Sequence, residues 1–311
     1  MERSESAVIF SGQGTLQASP FTTGQLGAQF RMVLEDVGPV DTSWRTPDGA
    51  ALLVFAASVA HYQVLYGRGV RPSVIVGHGF GELVALVCAG AFTVRQGAEI
   101  AVQRTSVLDR CQRDGGMLSV ATNRASADRL VALAGASRTA VAAENGPAEI
   151  VVSGTTAGIN SIQSLARRRR IATAALKARW PLHCAPLMLP AAMELAKQLR
   201  SITWRGLEVP VFSPILGRYY GPSDNLAECL ASHLAMPVRF AAAVRTLSSA
   251  GIESFIACGP LHGLARNIEE LTANFEQDQA DAELPADPSS RTNLFTNEIT
   301  EDAAQEVALS E

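Results

Sequence analysis

The sequence predicts an α/β protein built in two parts, a larger unit interrupted by a smaller one. Three observations carry this. The chain has 311 residues, 47% of them hydrophobic, enough for a large core and one or two domains. Residues 73–90 read as a buried strand that passes through a glycine turn straight into an apolar helix, the local grammar of an α/β fold. From residue 117 the texture changes to shorter elements in the order β-α-β-α-β.

Taken in order, residues 7–10 form a short apolar strand that ends at "SGQG". Residues 50–68 form a buried helix stopped by glycines. Pro72 opens a strand at 73–76, and a helix of about 80–90 follows. A further helix covers 95–112 and ends near Asp114-Gly115-Gly116. In the second part, 117–121 is a strand, 124–134 a helix, 150–152 a strand, 156–168 a helix and 171–176 a strand, a ferredoxin-like pattern. The chain then returns to the larger unit with a helix after Pro186, a strand at 209–212, and a strand and turn in "GIESFIACGP".

Composition excludes several classes. No apolar run reaches the roughly 18 residues of a membrane-spanning helix, and "MERSESAVIF" lacks a basic start followed by a long apolar stretch, so neither a membrane segment nor a secretory signal is expected. Cys88, Cys111, Cys184, Cys229 and Cys258 are scattered without a C-x-x-C pair, which argues for buried thiols in a reducing cytoplasm and against zinc or disulfides. Gly77-x-Gly79-x-Gly81 has neither the spacing nor the lysine of a phosphate loop. A cytoplasmic monomer without metal, nucleic-acid partner or membrane contact is expected. Charge is uneven: residues 271–311 hold ten acidic residues and one basic, Arg291, a net of −9, which leaves +5 on residues 1–270. That composition reads as a disordered acidic tail.

The chemistry centres on "VIVGHGFGELVALVCAGAF", residues 74–92. It has the layout of a nucleophile elbow, G-x-S-x-G, in which a serine sits on a sharp strand-to-helix turn. Here the central residue is Gly79, which has no side chain. Cys88 lies nine residues further on, roughly 13 Å along a helix, too far to substitute. Cys184 reads as packing, and Ser11 and Thr15 have little to recommend them.

With "IFSGQG", "GHGFGELVALVCAGAF", "VQRTSVL", "GGM", "AENGPAEIVVSG", "PLHCAPLM", "VPVFS", "HLAMPVRF" and "CGPLHGL" in this order, residues 7–268 resemble the malonyl- or acyl-CoA:acyl carrier protein transacylases, including the acyltransferase domains of polyketide and fatty acid synthases. The resemblance implies an α/β-hydrolase-like large subdomain (1–116 and 182–270), an inserted ferredoxin-like small subdomain (117–181) and a tail (271–311). It implies transfer of a malonyl-type acyl group between CoA and an acyl carrier protein, with no cofactor besides the CoA thioester as substrate.

Residue roles follow from the resemblance. His183 falls on the catalytic base, a role suited to a side chain that titrates near neutral pH, and Gly79 on the nucleophile. A backbone carbonyl in Phe212-Ser213-Pro214 would orient His183. The N–H groups of Gln13 and Phe80 would form the oxyanion hole. Arg104 would hold a free acyl carboxylate with its planar fork; alone, it reads as a solvated helix arginine. His78 and Trp180 fall beside the substrate, Trp180 where it could reshape the acyl pocket. Arg167, Arg168, Arg169 and Arg170 read as a solvated helix face or as a contact for an acidic carrier protein or CoA phosphates. Three readings of Gly79 stay open: a transacylase with its serine replaced by design, an enzyme that transfers acyl groups directly with His183 as base, and an inactive carrier-binding member.

Overall fold

The computed structural model describes residues 5–12, 24–39, 46–111, 114–135, 138–259 and 264–280. Strand β1 (Ser6–Phe10) is buried along its whole length, as an apolar run in a parallel sheet covered on both faces must be. Helix α1 (Gly24–Val37) packs against the long helix α2 (Pro47–Gly67), whose Tyr62 ring centroid lies 5.9 Å from that of Phe10 on β1. Thr46 caps α2 by accepting from Gly49 N–H at 3.1 Å, with Pro47 in the first turn, both strong start signals. By length and composition α2 would suffice to cross a bilayer, more apolar than the sequence reading allowed, but 67% of its apolar window is buried inside the fold. It is a core helix.

Strand β2 (Val74–Gly77) pairs in parallel with β1, then helices α3 (Gly81–Cys88) and α4 (Val94–Cys111) follow. The small subdomain comes next: β3 (Gly116–Val120), α5 (Arg124–Ala134), β4 (Thr139–Gly146), β5 (Glu149–Gly154), α6 (Thr156–Arg168) and β6 (Thr173–Ala175). Its antiparallel sheet has the order β4-β5-β3-β6. The sequence pattern missed β4, whose "TAVAAENG" is mostly alanine and low in strand propensity. Two register shifts interrupt its pairing with β5, and Val238 supports its other edge through Glu144 N–H→Val238 O and Val238 N–H→Ala142 O, both 2.9 Å. Tertiary pairing holds that strand.

The chain returns through α7 (Ala185–Gln198), β7 (Val211–Ser213), β8 (Arg218–Tyr219), α8 (Leu226–Ser232), α9 (Phe240–Ser249), β9 (Ser254–Cys258) and α10 (Leu264–Ala280). The large sheet runs β8-β7-β2-β1-β9, parallel except for the β7–β8 pair. Reading residues 271–311 as one disordered tail needs correction at its start: residues 271–280 continue α10. Leu264, Ile268 and Leu271, spaced for one helix face, are buried at 7%, 2% and 3% exposure. Negative composition concealed a docked helix. Residues 281–311 lie outside the described residues.

Candidate active site

The elbow is built where β2 ends against β1. His78 N–H donates to Phe10 O at 2.8 Å, and the chain turns at once into α3. A β-carbon on Gly81 would collide with the Phe10 carbonyl, so that glycine is what lets the turn close onto the central strand. Gly79 sits at φ +57, the left-handed region that a glycine occupies at little cost. A β-carbon built on it would stand 3.3 Å from His183 Nε2 and 3.6 Å from its Cε1. The two residues face each other.

His183 is also left-handed, at φ +61, a conformation that costs a non-glycine residue roughly 1–3 kcal/mol and persists only where surroundings enforce it. The enforcing contacts come from the segment after α8. His183 N–H donates to Leu234 O at 2.7 Å, and Nδ1–H donates to Met236 O at 2.8 Å. That bond leaves Nε2 as the unprotonated nitrogen, aimed at Gly79. The orienting carbonyl is therefore Met236, and not one of Phe212-Ser213-Pro214. The Ser213 and Pro214 carbonyls already accept from Gly217 and Arg239 N–H, at 2.8 and 3.1 Å. Met236 precedes Pro237, which has no N–H and disfavours helix before it, so its carbonyl is free to turn to the ring.

Burial dominates the electrostatics. His183 is only 6% exposed, and desolvation, with smaller contributions from His78, Arg104 and His233, pushes its pKa down to about 3 despite the Met236 bond. The ring is neutral across the physiological range. Arg104, 5% exposed on α4, lies over the Phe80 ring with its guanidinium carbon 5.3 Å from the centroid. Burial lowers its pKa to about 10, which leaves it charged at neutral pH.

Of the two N–H groups expected to form an oxyanion hole, that of Phe80 donates to no acceptor among the described residues and lies at the start of α3, where the helix dipole favours negative charge. Gln13 lies outside the described residues. His78, read from sequence as a substrate contact, is committed to Asn145 of the small subdomain: its Nε2 is 2.8 Å from Asn145 Oδ1, and Asn145 Nδ2 donates to Glu149 Oε1 at 3.1 Å. Asn267 on α10 donates to Glu149 Oε2 at 3.1 Å. These bonds brace the elbow against both β4–β5 and α10. Trp180 is 6% exposed within the large core cluster, its indole N–H without an acceptor among the described residues. Cys184 Sγ donates to Arg138 O at 3.8 Å, which fits packing. Arg167 to Arg170 lie at the exposed end of α6, apart from this constellation.

Sequence reasoning missed one buried group beneath the elbow. Glu82, fully buried in the first turn of α3, accepts from the Tyr220 hydroxyl at 2.8 Å, and His233 Nε2 stands 3.0 Å from the same oxygen. An acidic residue buried in an apolar helix three places after Gly79 was the available signal, because such a charge needs partners.

Residues 41–297 match the family model described as acyl transferase domain. The spectinabilin polyketide synthase system protein NorA' of Streptomyces orinoci is 31% identical over 245 residues, 78% of this chain but 7% of that protein. Erythronolide synthase EryA2 of Saccharopolyspora erythraea is 30% identical over 239 residues, 77% of this chain and 6% of its own length. The chain thus spans a small fraction of these curated relatives. Among solved structures, the acyltransferase domain from module 8 of the salinomycin polyketide synthase superposes with a TM-score of 0.81 at 25% identity, covering 88% of this chain and 68% of that one. The malonyl-CoA:acyl carrier protein transacylase of Xanthomonas oryzae pv. oryzae gives 0.79 at 25% identity, covering 88% and 93%. With its two-subdomain α/β fold and the family model matched over most of its length, this chain belongs to the acyl transferase domain family.

Proposed function

We propose that this chain moves a malonyl-type acyl group from a CoA thioester to the thiol of an acyl carrier protein without passing through an acyl-serine. Gly79 stands at the family's nucleophile position, so the acceptor itself must attack. The observation that carries this reading is the geometry of His183: Nε2 lies 3.3 Å from the place a Gly79 β-carbon would take, and Nδ1–H is held by Met236 O at 2.8 Å. A binding module has no need of a strained, oriented, neutral imidazole at this spot, which favours chemistry over a carrier-binding role alone.

In the proposed step the acceptor thiol gives its proton to His183 Nε2 as its sulfur attacks the thioester carbon. Negative charge that develops on the carbonyl oxygen is met by the Phe80 N–H and the start of α3. The C–S bond to CoA then breaks, and His183 returns the proton to the departing thiolate. Because burial holds the imidazolium at low stability, the proton transfer draws on the oxyanion forming beside it. Arg104 is placed to pair with the free carboxylate of the acyl chain, and the source of the acyl group and its acceptor are taken from the family's chemistry.

The test is intact-mass spectrometry of the chain with malonyl-CoA, with and without phosphopantetheinylated carrier protein. Acylated carrier above the enzyme-free control, no acylated chain, and loss of that transfer in His183→Ala are expected. Carrier acylation that survives His183→Ala overturns the mechanism. Absence of any acylated species with several CoA donors returns the chain to a binding role.

A further inference from the structure

The arginines at the end of α6 form a surface whose chemistry the acyl-transfer site does not use. From Ile150 to Met193 the sequence contains no acidic residue, but it contains Arg167, Arg168, Arg169, Arg170, Lys177 and Arg179. All four arginines of the run are exposed and none makes an ion pair among the described residues. A helix C-terminus favours one or two cations through its dipole, which accounts for Arg167 and Arg168.

That dipole does not account for Arg170. Helix α6 closes in a Schellman turn, with Ile171 N–H→Ala166 O and Arg170 N–H→Arg167 O, both at 3.0 Å. Arg170 is therefore the left-handed residue of the motif, at φ 59, a position usually held by glycine because a side chain is strained there. An arginine with no ion-pair partner keeps this place against local preference, so its charge has a use outside the helix.

Placement argues for a long acidic ligand over a small one. Strand β6 is the edge of the small sheet opposite β4, three strand spacings or roughly 14 Å from it. Strand β4 is the one that meets Val238 and His78. The arginine run thus lies at the outer rim of the molecule, with an exposed three-residue edge strand beside it.

The same chain supplies a polymer of complementary charge. Residues 281–311 carry eight acidic side chains and one basic, a net of −7. They begin after α10, which packs on α9, β4 and β9, and at up to about 3.4 Å per residue they have length to spare to reach β6. We infer that the acidic segment 281–311 docks in cis on the basic rim formed by Arg167–Arg170, Lys177 and β6. While docked, it shields that rim from any other acidic macromolecule; the inference does not depend on whether the chain turns over.

The experiment uses the full chain with a photo-reactive phenylalanine at Phe295. Irradiation at low salt is expected to cross-link it to residues 165–179. At about 0.5 M NaCl, where the Debye length falls to a few ångströms, the yield should drop at least about fivefold. The charge-reversed variant Arg167→Glu/Arg168→Glu/Arg169→Glu/Arg170→Glu should lose the cross-link as well. So should Glu298→Gln/Glu301→Gln/Asp302→Asn, a change confined to residues 281–311 that leaves the basic rim itself unaltered. Mixing isotopically heavy and light chains separates contact within one chain from contact between two. Cross-links that map elsewhere, ignore salt and both variants, or join heavy to light chains overturn the inference. So does an unchanged yield when polyglutamate in excess occupies the rim.

Discussion

Placing a hydroxyl at the elbow, Gly79→Ser, probes the site most directly. The new β-carbon would stand 3.3 Å from His183 Nε2, close enough that the ring must yield by a few tenths of an ångström. Holding serine at φ +57 costs about 1–2 kcal/mol. A hydrogen bond from the new hydroxyl to Nε2 returns about 1 kcal/mol, so the net loss of stability should be no more than about 1 kcal/mol. That corresponds to a fall in Tm of roughly 2–4 °C, visible by calorimetry but far from unfolding. Chemistry should change much more. Removing a nucleophile that works with its base costs up to about 10⁶ in rate, so the variant should acylate itself from malonyl-CoA and transfer to carrier at least about 10³-fold faster than the parent. Intact-mass spectrometry reads the covalent species, and carrier acylation over time reads the rate. A variant with an unchanged melting profile and no acyl-enzyme would refute the reading of Gly79 and His183 as a nucleophile–base pair.

Three further outcomes follow from the same geometry. The His183 pKa is lowered from 6.5 to about 3, so between those values the unfolded chain takes a proton that the folded chain refuses. Stability is then lost as pH falls from 6.5 toward 3, at about 1.4 kcal/mol per pH unit for that proton. Urea melts of His183→Gln should show a loss smaller by about 2 kcal/mol between pH 6 and 4, and parallel curves for the two proteins would refute the burial argument. Arg104→Ala should cut transfer of a malonyl group relative to an acetyl group by about 10- to 100-fold, the worth of one charge-assisted hydrogen bond; equal losses on both donors in competition assays would remove Arg104 from acyl recognition. Glu82→Ala leaves Tyr220 and His233 buried without their shared acceptor, and should lower the unfolding free energy by about 3 kcal/mol, measured by denaturant titration; a loss under about 1 kcal/mol would show that water replaces the carboxylate.

The sequence by itself determined the features that depend on neighbours along the chain. Alternation of apolar segments and glycines marked β1, α2, β2, α3 and α4, and the change to shorter alternating elements placed helices at 124–134 and 156–168, the bounds of α5 and α6. The glycine at position 79 of the strand-to-helix turn was legible for the same reason, because that turn is a local motif. Tertiary structure decided whatever depends on partners distant in the chain. Which carbonyl faces His183 is settled among backbone oxygens 29 to 53 residues away, and folding brings Met236 O to Nδ1 while the Ser213 and Pro214 carbonyls accept from Gly217 and Arg239. Strand β4 exists because β5 and Val238 satisfy both its edges, and the first turns of the acidic segment are helix because Leu264, Ile268 and Leu271 find a face to cover. The left-handed His183, too, is invisible in sequence: its cost is borne by Leu234 and Met236, and only packing brings them to it.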